Sequence, residues 1–109
     1  MDFKEYQEKA GTTAIYPDRG KNLIYPVLGL CGESGEVAEK VKKLIRDKNY
    51  VIDQEFLDNI QKEIGDVMWY MAAVCFELGL DMNTVAEKNI EKLFDRQQKN
   101  VLHGNGDNR

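Results

Sequence analysis

Apolar residues recur along most of this chain at intervals of three and four positions, the spacing of one face of an α-helix. The pattern predicts four helices, over about residues 2–13, 22–46, 53–78 and 81–99. No alternation typical of strands and no internal repeat competes with it. We therefore predict an all-α fold that resembles a four-helix bundle, built around a central antiparallel hairpin of the two long helices.

Three residues set the expected helix boundaries. Proline suits a first helical turn but disrupts a helix interior, so the second helix should properly begin near Pro26. Asp53 is the expected N-cap of the third helix, and Gly79 is its expected C-terminal stop. Residues 1–99 are predicted to form a single domain, and 100–109 a flexible C-terminal tail.

Each long helix carries an acidic pair. The pairs are Glu33 with Glu36, and Glu63 with Asp66. Both the inner and the outer members are symmetric about position 49.5, inside the polar stretch 46–50 that we expect to form the turn. An antiparallel hairpin would bring the pairs to one height, and an advance of about 100° per residue puts them on the same side. The sequence therefore predicts four converging carboxylates.

Four carboxylates at one point repel each other unless a cation neutralises them. Mg²⁺ suits a site of carboxylates, water and substrate phosphate. An alternative is that the acids face water or pair with Lys40, Lys43 and Lys62. A di-iron or di-manganese site needs Glu-x-x-His on two helices, and the single histidine, His103, lies in the tail, which excludes that site.

Composition restricts the partners and the compartment. The net charge of −4, from 19 acidic and 15 basic residues, lacks the clustered basic excess of nucleic-acid-binding proteins. No run of about 20 apolar residues predicts a membrane span. The first residues do not resemble a signal peptide. Cys31 and Cys75 lack C-x-x-C spacing, and we expect both to be reduced and buried in a cytoplasmic protein.

The acidic pairs also carry a family resemblance. Segment 28–39, LGLCGESGEVAE, followed by EIGDV at 63–67, resembles the MazG-like all-α nucleotide pyrophosphohydrolases. Their signature is E-x-x-E, a spacer and E-x-x-D; here the spacer, 37–62, has 26 residues. Segment 88–96 is similar to the family's N-x-x-K-x-x-x-R element. The resemblance extends over about residues 3–98.

The resemblance implies hydrolysis of a nucleoside triphosphate to the monophosphate and pyrophosphate with Mg²⁺. It implies metal ligands at Glu33, Glu36, Glu63 and Asp66, catalytic roles for Glu36 and Glu63, and substrate contacts from Tyr70, Asn89, Lys92 and Arg96. Glu36 is the first choice for a general base. Trp69 is expected to point away from the acids. The assembly implied is a homodimer or homotetramer in which neighbouring chains help to form the site.

The leading hypothesis is therefore a Mg²⁺-dependent nucleoside triphosphate pyrophosphohydrolase acting in nucleotide-pool sanitation. Two alternatives stay open. One is a pyrophosphohydrolase of the same superfamily directed at phosphoribosyl-ATP or dUTP. The other is a non-catalytic module that senses nucleotide or metal.

Overall fold

The computed structural model describes residues 1–104, 106 and 107. Within them the chain forms four helices and no strand: α1 (Phe3–Gly11), α2 (Ile24–Lys48), α3 (Gln54–Glu77) and α4 (Met82–Gln98). The all-α prediction is confirmed, and the predicted boundaries agree to within a few residues. None of these helices, over the part of the chain described, combines the length and apolar character needed to cross a membrane.

Aspartate residues are the N-caps of three of the helices. The carboxylate of Asp53 accepts a hydrogen bond from the backbone N–H of Phe56 at 2.8 Å, which confirms its prediction as the N-cap of α3. Asp2 and Asp81 cap α1 and α4 in the same way. An N-cap of this kind satisfies backbone donors that have no partner inside the helix. After α3, Gly79 adopts a left-handed backbone with φ 68°.

Pro26 lies in the first turn of α2, as expected from its missing N–H. The helix begins at Ile24, so Pro26 is its third residue, and its side chain is fully buried. The first four N–H groups of a helix lack intrahelical partners, and proline is therefore tolerated there. The N-cap residue, Leu23, has no side-chain acceptor for these groups. The side-chain oxygen of Asn22 accepts from the backbone N–H of Tyr25 at 3.1 Å instead.

The two long helices pack against each other through pairs that run in opposite chain order. Such pairs are Gly29 with Tyr70, Glu33 with Asp66, and Lys40 with Glu63. Opposite order is what antiparallel packing produces. The turn between the helices includes Asn49 and Tyr50, both with positive φ, 51° and 61°.

A cluster of buried apolar side chains lies between α1, the second half of α3 and the start of α4. Ala72, Cys75 and Met82 form it, and Tyr6 and Met68 pack against it. The apolar stripe of α3 is buried only in part, since the side chains of Ile64 and of Leu78, the C-cap residue, are 50% and 52% exposed. The helix α3 packs against α1 as well as α2 and buries a different face toward α1.

Cys75 is buried and Cys31 is exposed, and both are free thiols. The expectation that Cys31 is buried was therefore wrong. It follows Ile24 and Leu28 along one face of α2, and these two side chains are 73% and 66% exposed. No other helix covers that face within residues 1–104, 106 and 107.

α4 makes its main contacts with α1, and it leaves much of its apolar surface open. Val85, Ile90 and Phe94 are 45%, 47% and 60% exposed. The radius of gyration is 16.9 Å, whereas a closed domain of this length has about 13 Å. A single chain therefore does not close the bundle around α4.

The chain turns back after α4. The backbone N–H of Val101 donates to the Arg96 carbonyl at 2.9 Å, and that of Gly104 donates to the Val101 carbonyl at 3.1 Å. The predicted flexible tail also includes residues 105, 108 and 109, which lie outside the described residues. The described part leads Asp107 back to the side chains of α4.

Candidate active site

Three of the four predicted metal ligands come together. Glu33 of α2 meets Glu63 and Asp66 of α3, and one carboxylate oxygen from each lies within 4.8 Å of the others. Glu33 and Glu63 are half-buried, and Asp66 is exposed. They converge because the two helices pack side by side, and the one-turn spacing of Glu63 and Asp66 directs both toward α2.

Glu36 lies outside this group. It follows Glu33 by three residues, the same spacing that separates Glu63 from Asp66, and yet it is not one of the carboxylates that meet within 4.8 Å. It is exposed, yet its negative charge still acts on Glu33. The structure therefore separates Glu36 from the three clustered carboxylates and keeps it within electrostatic reach.

The cluster carries uncompensated negative charge. Desolvation, followed by the charge of Asp66 and a hydrogen bond with Glu63, raises the pKa of Glu33 above its usual value. Of the three lysines considered as partners, Lys40 alone forms an ion pair with these acids in the described chain, with its Nζ 4.0 Å from Glu63. Pairing with lysines therefore does not neutralise the cluster.

The donor set fits a hard divalent cation. Oxygen ligands on one Mg²⁺ lie up to about 4.2 Å apart, twice the Mg–O distance of about 2.1 Å. The carboxylate oxygens of Glu33, Glu63 and Asp66 lie within 4.8 Å of one another. Small side-chain rotations are enough to bring them to one ion, and water or substrate oxygens can complete its coordination.

An open cleft with aromatic walls adjoins the carboxylates. Glu33, Asp66, Trp69 and Tyr70 line it, and its volume is about 270 Å³. The two rings meet edge to face, with centroids 5.0 Å apart. The expectation that Trp69 points away from the acids was wrong, because its indole N–H donates to the Thr13 hydroxyl at 2.8 Å and holds the ring beside the cleft.

Tyr70 is held against α2 at a glycine. Its ring occupies the space in which any side chain at Gly29 would lie. Tyr25, one turn before Gly29, stacks on Tyr16 with ring centroids 5.1 Å apart. Desolvation, followed by the influence of Tyr25 and Glu33, raises the pKa of Tyr70. The sequence analysis did not predict that Tyr70 packs on Gly29 beside Tyr25. The four-residue spacing of positions 25, 29 and 33 indicates that these residues share one face of α2.

The loop between α1 and α2 is fastened to the end of α3. The Glu77 carboxylate accepts from the backbone N–H groups of Gly20, at 2.9 Å, and Asn22, at 3.2 Å. The Arg19 guanidinium lies 3.7 Å from the centroid of the Phe76 ring, a cation–π contact. These contacts position the loop that carries Thr13 and Tyr16.

The predicted phosphate-binding residues of α4 lie in a different environment. Asn89 is exposed, whereas Lys92 and Arg96 both contact Asp107. No contact joins these α4 residues to the carboxylate cluster in the part of the chain described. The carboxylate cluster and the predicted phosphate-binding residues of α4 therefore lie apart within one chain.

Comparison with known proteins identifies the family of this chain. Residues 25–101 match the family model of the MazG nucleotide pyrophosphohydrolase domain. The chain is 48% identical over 114 residues to the Gene 37 protein of Mycobacterium phage L5, with both chains covered in full. No solved structure matches it. The family match includes both acidic pairs and all of α4, so this chain belongs to the MazG nucleotide pyrophosphohydrolase family.

Proposed function

We propose that this protein hydrolyses a nucleoside triphosphate to the nucleoside monophosphate and pyrophosphate, with Mg²⁺ as cofactor, and serves in cytoplasmic nucleotide-pool sanitation. The observation that carries the proposal is the convergence of Glu33, Glu63 and Asp66 within 4.8 Å beside an aromatic cleft. Family membership connects that arrangement with pyrophosphohydrolysis.

The acidic residues divide into two roles. Glu33, Glu63 and Asp66 would hold Mg²⁺. Glu36, which the family resemblance also makes a metal ligand, lies outside this group, and its charge acts on Glu33. When bound, the ion neutralises carboxylate and phosphate charge and lowers the pKa of water. The Glu36 carboxylate is our candidate general base, because it is exposed and stands outside the cluster, free to accept a proton from the attacking water. Glu63 combines ligand and catalytic roles.

Substrate contacts follow from the cleft and from α4. We assign Tyr70 to the nucleotide, because its ring walls the cleft next to Glu33 and Asp66. Asn89, Lys92 and Arg96 are assigned to phosphate and sugar. Since these α4 residues stand apart from the cluster in one chain, a homodimer or homotetramer would bring them to a neighbouring chain's cleft. The exposed apolar face of α4 supports such an assembly.

A pyrophosphate-release assay with Mg²⁺ tests the proposal. The panel includes canonical and damaged (d)NTPs, dUTP and phosphoribosyl-ATP, so that the two substrate alternatives are covered. The control is Glu39→Gln, which removes a carboxylate of α2 outside the cluster, one that pairs with Lys42 at 3.0 Å. Binding of nucleotide and Mg²⁺ without turnover of any substrate would replace the enzyme with a sensing module.

A further inference from the structure

The structure shows a carboxylate bound to two of the three basic residues of α4, Lys92 and Arg96. The Asp107 Oδ1 atom accepts from Lys92 Nζ at 3.0 Å and from Arg96 Nη2 at 3.1 Å. The same Nη2 atom also donates to the backbone carbonyl of Asp107 at 2.8 Å. Both cations proposed to bind substrate phosphate are therefore engaged by a carboxylate of their own chain. We call this contact the Asp107 latch.

The cationic side of the latch is built into the structure. Arg96 is only 4% exposed, and its buried Nε atom has no hydrogen-bond partner among residues 1–104, 106 and 107. A buried guanidinium is costly without a compensating anion. Arg96 therefore requires an anion at this place, and its Nε donor leaves room for a ligand with more acceptor atoms than Asp107 offers.

The anionic side is held much less firmly. The Asp107 side chain is 79% exposed, so little packing is lost when it leaves. One of its carboxylate oxygens, Oδ1, accepts hydrogen bonds from both Lys92 and Arg96. A phosphate group carries more charge and three terminal oxygens, and arginine binds such groups in a two-pronged geometry. A phosphate ligand therefore competes well for the same donors.

We propose that Asp107 is an intramolecular competitor of the substrate phosphates, which must displace it from Lys92 and Arg96. This inference rests on the proposed function, because it concerns the phosphate contacts of the same site. A tethered ligand acts at an effective concentration on the order of millimolar, although an ion pair with a largely exposed carboxylate is individually weak. The latch would thus reduce phosphate affinity about two- to fivefold.

Asp107→Asn tests the latch through two readouts. We expect the KM for the nucleotide to fall about two- to fivefold with kcat unchanged, and inorganic pyrophosphate without Mg²⁺ to bind tighter by a similar factor in calorimetry. A chain ending after Gly104 should behave in the same way. The control is Asp95→Asn, which also removes one negative charge but breaks an ion pair with Lys99, at 2.9 Å, instead of the Asp107 latch. It should leave both values unchanged.

The outcomes separate the latch from the proposed function. Unchanged or weaker pyrophosphate binding in Asp107→Asn would overturn the latch, as would pyrophosphate that binds to none of the variants. Hydrolysis with an unchanged KM would overturn the latch and leave the enzymatic function standing. A wild-type protein that hydrolyses no nucleotide would remove the function, and the pyrophosphate titration would still decide whether Asp107 competes.

Discussion

Gly29 and Tyr70 lie in direct contact across the two long helices, with the tyrosine ring filling the place of a side chain at position 29. Gly29→Ala should therefore push the Tyr70 ring away from α2 and cost about 1–3 kcal/mol of unfolding free energy, as overpacking does. We also expect a higher KM for the nucleotide. Chemical denaturation and steady-state kinetics measure the two effects.

Gly35→Ala is the matched control for that substitution. Beyond its own helix backbone and its two chain neighbours, a Cβ at position 35 meets no atom of the described residues within 4 Å, and the residue also lies inside α2. Alanine there should stabilise the protein by about 0.5–1 kcal/mol through its helix propensity. Equal stability changes at positions 29 and 35 would show that the Tyr70 contact does not matter.

Magnesium should stabilise the folded protein by relieving repulsion in the cluster. Because the pKa of Glu33 is raised in the folded state, its stabilising contribution is present at low pH and is lost as pH rises through that pKa. Mg²⁺ at tenfold above its Kd should add about 1.4 kcal/mol at neutral pH. Thermal unfolding with and without Mg²⁺ measures this shift. Glu33→Gln should abolish it, whereas Glu39→Gln should retain it.

Glu36→Gln should separate catalysis from metal binding. Loss of a general base lowers kcat by about 10²- to 10⁴-fold. Because Glu36 lies outside the three clustered carboxylates, the Mg²⁺-dependent shift in unfolding temperature should largely persist. Glu63→Gln should lose both properties. Full activity in Glu36→Gln would contradict the proposed site.

The pH dependence of the Asp107 latch follows from its ion pairs. Hydrogen bonding to Lys92, and then to Arg96, lowers the pKa of Asp107 below its usual value. The contact is therefore present at neutral pH and is lost only as pH falls through the lowered pKa. Carboxyl NMR titration should show this low value, and Lys92→Ala should raise it. Lys99→Ala, which removes a cation paired with Asp95, should not.

The open face of α4 should hold copies of the chain together. Phe94 is 60% exposed beside Ile90 on this helix, and Phe94→Glu should shift the assembly toward monomers in light scattering. Ile15→Glu is the control, because Ile15 is 92% exposed in the loop before α2 rather than on α4. A wild-type monomer at micromolar concentration would contradict this expectation.

The helices and the meeting of Glu33 with Asp66 were predictable because both depend on short-range periodicity and one turn. The direction of Trp69 was not, since it depends on a hydrogen bond to Thr13, far away in sequence. The Asp107 contact likewise depends on how the chain turns after α4. An apolar face on α4 does not by itself say which surface will cover it.

The position of the carboxylates along their helices affects how readily the backbone beneath them unfolds locally. Glu33 lies nine residues inside α2, and Asp66 lies eleven residues before the end of α3. Helix ends open readily, while backbone more than two turns inside a packed helix exchanges its amide hydrogens late. Loss of the ion should therefore register as side-chain rearrangement, with the amides beneath the cluster among the last in the molecule to exchange.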